Sequence, residues 1–287
     1  MTARRVLVVG AGQLGSALAA DAARAGWAVS VAVRRPASVD LAAHGCEVVV
    51  GWPRARFDLA VVCVPDRAIV AATHAASDAG VRADVWLHTA GAMPGDLLRA
   101  AVPDDCAVGN MHPLAAVAGP ADPSPLCGAL FALAGEPEAV AAARELARAL
   151  GGLPTEVPDA ARPAYHAAAA LVANDWVALQ TLAEAAVADA GLDVSTLRAG
   201  LLHLARTAVD RVARLAADEP AIAGLTGAVR RGDAATLRRH FDALQATAGA
   251  ADVHARCSAV LACVLHRTGR LSDPDAEAIL AACRSDR

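Results

Sequence analysis

Three glycines near the N-terminus have the spacing of a phosphate-binding turn. Residues 6–18 read Val-Leu-Val-Val-Gly-Ala-Gly-Gln-Leu-Gly-Ser-Ala-Leu, so an apolar run passes through Gly10, Gly12 and Gly15 into an alanine-rich stretch. Between a strand and a helix, the first glycine permits a tight turn, the second lets the backbone approach a pyrophosphate, and the third lets the helix pack closely. The segment predicts a dinucleotide-binding turn, with a glycine-rich turn that binds nothing as the alternative.

Two arginines follow the second predicted strand, where an NAD-binding domain would carry an acidic residue. That acid comes about 20 residues after the glycines and binds the ribose 2′-hydroxyl. This chain has Arg34 and Arg35 there instead, and guanidinium groups can bind a 2′-phosphate through paired hydrogen bonds. We therefore expect NADP(H) rather than NAD(H). A solvated arginine pair is the alternative.

Two more segments are expected to border the ribose and nicotinamide of that cofactor. They follow the fourth and fifth predicted strands, and open α/β sheets bind ligands at the carboxyl ends of their strands. Ordinary strand-to-helix turns are the alternative. The predicted cofactor contacts are Gly10, Gly12, Gln13, Leu14, Gly15, Arg34, Arg35, Val64, Pro65 and Thr89.

Histidine is the natural proton donor in this chain, because all 26 basic residues are arginine and lysine chemistry is excluded. His88 and His112 fall at predicted strand ends, and His166 lies near the start of the first long helix. Asn174 follows His166 on that helix, about 80° further round its axis. A buried side chain satisfied by backbone carbonyls is the alternative for each. The predicted catalytic residues are His112, His166 and Asn174.

The elements that must position these residues divide the chain in two. Up to Pro158, short β-branched runs alternate with alanine-rich helical stretches, which is typical of βαβ units and a parallel sheet. Beyond Pro158 only helical patterns follow. We predict an α/β protein with an N-terminal doubly wound Rossmann domain over residues 1–158 and an all-α C-terminal domain over 159–287 for substrate binding and dimerisation.

The element boundaries follow from apolar runs and from capping residues. Asp233 and Ser272 are predicted helix N-caps, and Gly191 is a predicted helix stop. The predicted strands are Arg5–Val9, Ala28–Val33, Cys46–Val50, Leu59–Cys63, Val85–His88, Ala107–Asn110, Leu130–Ala134 and Leu153–Val157. The predicted C-terminal helices are Ala160–Ala190, Val194–Ala217, Ala234–Ala248, Val253–Thr268 and Pro274–Arg284.

Composition excludes several classes of function. The net charge of −4 and the dispersed arginines give no attraction to nucleic acid. The N-terminus has no signal-peptide pattern, and no apolar run reaches the ~18 residues of a membrane span. Seven cysteines without a C-x-x-C pair predict reduced thiols, a cytoplasmic location and no metal site.

Over essentially its whole length the chain resembles bacterial reductases that join a Rossmann-like domain to a helical C-terminal domain of unknown function. These reductases are related to pyrroline-5-carboxylate reductase, ketopantoate reductase and the β-hydroxyacid dehydrogenases. The matching segments are Gly10–Gly15, Val64–Asp66, His88–Gly91, His112–Pro113, Tyr165–Asn174, Leu225–Gly227 and Arg231–Asp233.

The resemblance implies NADP binding, dimers built through the helical domain and an active site in the cleft between domains. Related enzymes use a lysine and an asparagine one turn apart on the corresponding helix. Asn174 fits the asparagine, but position 170 is alanine. Either His166 or His112 therefore takes over proton transfer, or the substrate is an imine that is already protonated.

The sequence thus predicts an NADP-dependent oxidoreductase that transfers a hydride between NADPH and a small keto acid or imine. The reverse reaction, oxidation of a hydroxy or amino acid, would use the same site. A non-catalytic NADP-binding sensor or interaction protein is the alternative, and it would have no use for the histidines. The apolar helical patterns at Val177–Val187 and Val253–Leu265 predict a homodimer.

Overall fold

Eight strands form a single sheet in the computed structural model, which describes residues 3–35 and 39–284. In space they run β3-β2-β1-β4-β5-β6-β7-β8. Strands β1 to β6 are parallel to one another, whereas β7 is antiparallel to β6 and parallel to β8. In chain order the strands are β1 (Arg5–Val9), β2 (Ala28–Val33), β3 (Glu47–Val50), β4 (Arg56–Val62), β5 (Arg82–His88), β6 (Ala107–Pro113), β7 (Leu130–Gly135) and β8 (Leu153–Glu156).

Eight α-helices accompany the sheet in the described part of the chain. They are α1 (Gln13–Arg24), α2 (Ile69–Asp78), α3 (Pro137–Ala149), α4 (Arg162–Asp189), α5 (Val194–Ala213), α6 (Ala234–Leu244), α7 (Ala250–Arg267) and α8 (Asp273–Ala282). The predicted fold class is confirmed: a mostly parallel α/β sheet is followed by a helical C-terminal region.

Both faces of the sheet are buried, which explains why its strands read as nearly continuous apolar runs. Successive side chains of a strand point to opposite faces. On β1, Val6 and Val8 pack on the face that α1 and α3 cover, and Leu7 and Val9 pack on the face that α2 covers. The sheet is therefore doubly wound.

The reversal of β7 is a feature that the predicted parallel sheet did not include. A parallel return needs a long crossover, usually through a helix. The described residues 114–129, between β6 and β7, contain no helix. The chain therefore comes back along β6 in the antiparallel sense.

Four strands extend beyond their predicted ends, β7 by the single residue Gly135. β4 and β5 begin three residues earlier than predicted. Their first three residues include charged side chains, among them the ion pair between Arg56 and Asp84. The prediction followed apolar residues and missed these ends. β6 continues to Pro113, so His112 lies within a strand and not in the loop after it.

The predicted helix caps in the C-terminal region are confirmed. Asp233 accepts from the N–H of Thr236 at 2.9 Å, and Ser272 Oγ accepts from the N–H of Asp275 at 3.4 Å. Gly191 follows α4 with a φ of +74°, which suits a glycine helix stop. No strand occurs in the described residues after Glu156.

By its internal contacts the chain divides into two compact units, residues 1–173 and residues 174–287. This division falls inside α4, whereas the predicted domain boundary at 158/159 marks the change from strands to helices and stays a prediction. The second unit has its own small core, in which Leu237, Phe241, Leu265 and Ile279 are buried. None of the helices within 3–35 and 39–284 is long and apolar enough to cross a membrane.

Candidate active site

The chain turns sharply at Gly10, directly after β1. Gly10 has a φ of +100°, which residues with a β-carbon rarely adopt. Its N–H donates to the carbonyl of Ala32 at 2.9 Å. A β-carbon at Gly10 would lie 2.9 Å from both Cys63 O and Val64 Cγ1. Glycine is therefore required here by the backbone and by the available space.

Gly15 and Gly12 differ in their surroundings. A β-carbon at Gly15 would overlap the carbonyl oxygen of Gly10, so this glycine lets α1 pack close to the strand ends. Gly12 is the N-cap of α1, and a β-carbon there would meet no atom within 4 Å. The first turn of α1 has neither a side-chain cap nor an acidic residue. The first amides of α1 are therefore open to an anion such as a pyrophosphate.

Of the other residues predicted to bind the cofactor near the glycine turn, some are exposed to solvent and one packs against the core. Gln13 is exposed, and Leu14 packs against the core beneath α1. Arg34 and Arg35 follow β2 and are exposed, and neither forms an ion pair with any described residue. Residues 36–38, next in the chain, lie outside the described ranges. The contact of Arg34 and Arg35 with a 2′-phosphate stays a prediction.

The turns after β4 and β5 flank the same edge of the sheet. Val64 borders Gly10, and Pro65 is exposed. Thr89 is buried, and its hydroxyl donates to the carbonyl of Val62 at 3.3 Å. This bond joins the ends of β4 and β5, so the hydroxyl has a structural partner. The predicted cofactor contacts of Val64, Pro65 and Thr89 remain predictions.

One row across the sheet links the glycine turn to the predicted catalytic residues. The register pairs Val9 of β1 with Val62 of β4, Val62 with His88 of β5, and His88 with Asn110 of β6. Adjacent strands lie about 4.8 Å apart, so the row from β1 to β6 is roughly 14 Å long. The segments that follow these four residues therefore share one edge of the sheet.

Two histidines lie against Gly91 at this edge, and a tyrosine contacts one of them. His112 Nδ1 lies 2.9 Å from the hydroxyl of Tyr165, and the rings of His112 and His166 meet edge to face with their centroids 5.6 Å apart. A β-carbon at Gly91 would overlap His166 Nδ1 and lie 2.9 Å from His112 Nε2. Both ring nitrogens thus converge over Gly91. We call His112, Tyr165 and His166 the histidine cluster.

Burial controls the protonation of His112 and Tyr165. It lowers the pKa of His112 to about 4, with smaller contributions in the same direction from His166 and Arg162. Burial also raises the pKa of Tyr165 above its ordinary value, against a smaller lowering by Arg162. At neutral pH the cluster therefore presents a neutral imidazole and a protonated phenol at His112 and Tyr165.

A second, fully buried network lies beneath the histidine cluster. Arg162 donates to Asn110 Oδ1, and Asn110 Nδ2 donates to Ala90 O at 2.7 Å and to His88 Nδ1 at 3.0 Å. His88 Nε2 lies 2.8 Å from the carbonyl of Pro94, which can only accept. The proton of neutral His88 is therefore on Nε2, and burial lowers its pKa to about 4.

These contacts fasten the start of α4 to β6 at two points. Asn110 and His112 are two residues apart on the strand and lie on the same face. Their partners Arg162 and Tyr165 are three residues apart on the helix and also share a face. The two hydrogen bonds are therefore parallel cross-links, and the deeper one orients the helix turn that carries Tyr165 and His166.

The structure brings together two of the three predicted catalytic residues. His112 and His166 are in contact, as predicted from their types and positions. Asn174 lies on α4 two turns beyond His166, is exposed, and has no side-chain hydrogen bond among the described residues. Its catalytic role stays a prediction.

Sequence reasoning did not select Tyr165, Asn110, Arg162 or Gly91 as site residues. Tyr165 is the only tyrosine of the chain, and that rarity next to His166 was the one signal that could have singled it out. Asn110 lies two residues before His112, which strand alternation would place on the same face. Nothing local indicated Arg162, which is fully buried although it begins a helix.

Comparison with known proteins agrees with this architecture. Residues 129–259 match the family described as DUF2520, a domain of unknown function. No curated protein matches the chain. The fold is similar to that of a candidate NADP oxidoreductase of Bacteroides fragilis, with a TM-score of 0.73 and 20% identity over 90% of this chain and 98% of that one.

Two further solved structures share the fold over nearly the whole chain. A reductive aminase of Aspergillus terreus, in complex with NADPH, cyclohexanone and allyl amine, has a TM-score of 0.60 and 21% identity over 97% of this chain and 99% of that one. Pyrroline carboxylate reductase of Plasmodium falciparum, with NADP bound, has a TM-score of 0.56 and 14% identity over 99% of this chain and 97% of that one. The chain therefore has the fold of Rossmann-like reductases together with a match to a helical domain of unknown function, as its sequence resemblance predicted.

Proposed function

We propose that this protein is an NADP(H)-dependent oxidoreductase that acts on a small keto acid or imine. One observation carries the proposal: the open glycine turn at Gly12 and the histidine cluster over Gly91 share one edge of the parallel sheet. The first supplies a place for a dinucleotide phosphate, and the second supplies proton-transferring groups. When bound, the nicotinamide would supply or accept the hydride.

The glycine turn fits a dinucleotide by its shape. Gly10 and Gly15 are held tightly by their own chain, whereas Gly12 has free space above it. A turn that only connected a strand to a helix would have no need for glycine at position 12. The open amides of α1 match an anionic ligand. These features support a pyrophosphate contact at Gly12.

The choice of NADP(H) over NAD(H) rests on Arg34 and Arg35. Both are exposed after β2 and unpaired with any described acid, so they are available to a 2′-phosphate. The similar fold of proteins solved with NADP or NADPH supports the same choice.

The chemistry rests on histidine because the chain has no lysine. His112 Nε2 and His166 Nδ1 converge on Gly91, and a substrate oxygen or nitrogen that reached these two rings could bond to them. Asn174, further along α4, remains a proposed substrate contact. A keto acid or an imine suits this arrangement, since each gains one proton on reduction at the atom that the imidazoles would contact.

We further propose a homodimer formed through the helical region, in a cytoplasmic setting. Large apolar side chains of α4 and α5 are exposed in the single chain, among them Leu171, Val172, Val177, Leu204 and Val209. A second copy of the chain would cover them. The thiols of six cysteines are free, which suits a reducing compartment; they are Cys46, Cys63, Cys106, Cys127, Cys257 and Cys263.

The proposal is tested by titrating the purified protein with NADPH and with NADH, followed by fluorescence. We expect tight NADPH binding that weakens by roughly a hundredfold or more in the Arg34→Ala, Arg35→Ala double variant, because each of the two lost charge-assisted bonds is worth about 1.5–3 kcal/mol. NADH binding should change little. Arg238 and Arg239 form an exposed arginine pair on α6, and their double alanine variant is the matched control.

The outcomes separate the candidate functions. Binding of NADPH justifies a screen of keto acids and cyclic imines by loss of NADPH absorbance. Absent binding of both nucleotides removes the oxidoreductase assignment and leaves a Rossmann-like fold with another ligand, whereas equal binding of both removes only the preference for NADP(H). Tight NADPH binding in a protein whose function survives His112→Gln and His166→Gln would favour a non-catalytic sensor.

A further inference from the structure

The hydroxyl of Tyr165 has a defined partner in the histidine cluster. It lies 2.9 Å from His112 Nδ1, while His112 Nε2 faces Gly91 from the other side of the same ring. We propose that Tyr165 donates its hydroxyl proton to His112 Nδ1 and thereby makes His112 Nε2–H the proton donor over Gly91. The inference rests on the reduction proposed above and assigns Tyr165 as a positioning residue that acts through His112.

The direction of this hydrogen bond follows from the chemistry of its two partners. A phenol is a stronger donor than a neutral imidazole N–H, and an imidazole nitrogen is a stronger acceptor than a phenol oxygen. The favoured arrangement is therefore O–H···N, with the hydrogen on Tyr165. A neutral imidazole carries one hydrogen, so His112 must then hold it on Nε2.

A second proton source is needed because His112 is neutral. Its ring faces Arg162 and His166, and burial together with these neighbours lowers its pKa to about 4. The described residues give it no carboxylate partner. A neutral imidazole that gave up its Nε2 proton alone would become an imidazolate anion, which is very costly in a buried site. Transfer is feasible only if Nδ1 gains a proton in the same step.

Tyr165 supplies that proton, and the step balances. In reduction, the Nε2–H bond of His112 breaks and an O–H or N–H bond forms on the substrate, whose carbon has received a hydride from NADPH. The O–H bond of Tyr165 breaks and an Nδ1–H bond forms, so the imidazole stays neutral. The Nδ1 proton then returns to the phenolate while Nε2 of the half-buried His112 takes a proton from water, which restores both groups.

The buried hydrogen bond between Arg162 and Asn110 holds Tyr165 in position beside His112. We call the proton transfer from Tyr165 through His112 the relay. Arg162 bonds to Asn110, one strand repeat before His112, and begins the helix turn that carries Tyr165. Its guanidinium also opposes the rise in the pKa of Tyr165 that burial causes. Arg162 therefore both orients the phenol and favours its transient loss of a proton.

The proposal is tested by NMR on protein labelled with ¹⁵N in its histidines, with the two ring nitrogens of His112 as probes. His112→Gln identifies the His112 signals by their disappearance, and His74→Gln, at an exposed histidine on α2, is the matched control. We expect a single Nε2–H tautomer of His112 at neutral pH. In Tyr165→Phe, we expect loss of that single-tautomer signature while the other histidine signals stay in place.

Two results would overturn the relay. One is an Nδ1–H tautomer of His112 in the unaltered protein, and the other is an unchanged Nε2–H tautomer in Tyr165→Phe. An NADPH titration of the same samples separates this failure from failure of the proposed function. NADPH binding with the wrong tautomer rejects the relay alone, whereas absence of NADPH binding rejects the oxidoreductase and the relay with it.

Turnover with a substrate from the NADPH screen gives a further readout. General acid catalysis contributes about 10²–10⁴-fold, so kcat of Tyr165→Phe should fall by at least roughly tenfold. The Kd for NADPH should stay within about twofold, because Tyr165 contacts His112 of β6, which is three strands away from β1 and its glycine turn. An unchanged kcat in Tyr165→Phe would contradict the relay.

Discussion

The sheet and the helices α4 and α5 differ in the burial of their apolar side chains. Nearly every apolar side chain of β1, β4 and β5 is buried within the chain, on one face of the sheet or the other. Within α4 the only buried residue is Arg162, and α5 has none. The sheet is therefore complete in a single chain, whereas α4 and α5 carry apolar surface that the single chain leaves exposed.

This difference predicts that the sheet determines the stability of the chain and that α4 and α5 determine its association with a second copy. Burial of apolar area stabilises the folded state by about 25 cal/mol per Å², so substitutions in the sheet should lower the free energy of unfolding. Substitutions on the exposed side of α4 should hardly change it, and should act on association between copies. The histidine cluster lies where these two regions meet in sequence, at the first turn of α4.

The largest effect is expected in the sheet core. Phe131 of β7 is fully buried, and a β-carbon at Gly152 would overlap its ring. Phe131→Ala should lower the free energy of unfolding by about 3–5 kcal/mol, because it leaves a cavity. Urea denaturation followed by circular dichroism measures this. Val50→Ala, at a valine of β3 that is 63% exposed, is the control and should change the value by less than about 0.5 kcal/mol; equal losses would contradict the role given to burial.

The next effect concerns the pH dependence of stability. The folded pKa of His88 is about 4, below its ordinary value of 6.5, mainly because of burial and secondarily because of Arg162, against the bond to Pro94 and the charges of Asp66 and Asp159. Between these values the unfolded chain binds a proton that the folded chain does not. Stability should therefore be complete above pH 6.5 and fall as the pH approaches 4, by on the order of 3 kcal/mol.

The contribution of His88 to this loss should disappear in its variant, whereas that of His112, whose pKa burial also lowers to about 4, should remain. Urea midpoints at pH 7 and pH 5 should differ less in His88→Gln than in the unaltered protein. His203 is exposed on α5, and His203→Gln should leave the pH dependence as it is. If His88→Gln and His203→Gln behaved alike, the assignment of a buried neutral His88 would be wrong.

The smallest change in unfolding free energy is expected for substitutions on the exposed surface of α4. Their effect is measured as a change in the mass of the sedimenting particle. Val172 of α4 is 79% exposed, and Val172→Glu should convert a dimer to monomer in sedimentation velocity. The free energy of unfolding of the monomer should change by less than about 0.5 kcal/mol. Val50 of β3 is 63% exposed, and Val50→Glu should leave the dimer intact. An unaltered protein that sediments as a monomer would reject the dimer.

The features that could be predicted from the sequence are those that short segments determine. The glycine turn after β1 and the caps at Asp233 and Ser272 each depend on a few neighbouring residues, and each was predicted from them. Buried parallel strands were equally visible, because both faces of the sheet are covered and their apolar runs are continuous. The polar first residues of β4 and β5 were not predicted, because the strand ends were predicted from apolar residues alone.

The internal geometry of the site could not be predicted in this way. The bond between His112 and Tyr165 joins residues 53 positions apart, and the bond between Asn110 and Arg162 joins residues 52 positions apart. Both depend on the register of α4 against β6, which no local pattern specifies. The histidines could be nominated by type, but the tyrosine that orients one of them and the glycine that admits both required the fold.

The central claim, that NADP(H) binds at the glycine turn, is tested most directly by calorimetric titration of NADPH into Gly12→Val. Gly12 and Gly200 both lack neighbours within 4 Å and neither needs a positive φ, so valine should be tolerated by the fold at either position. The account predicts that Gly12→Val folds normally but loses NADPH binding, while Gly200→Val binds it like the unaltered protein. Equal NADPH affinity in Gly12→Val and Gly200→Val would contradict the account.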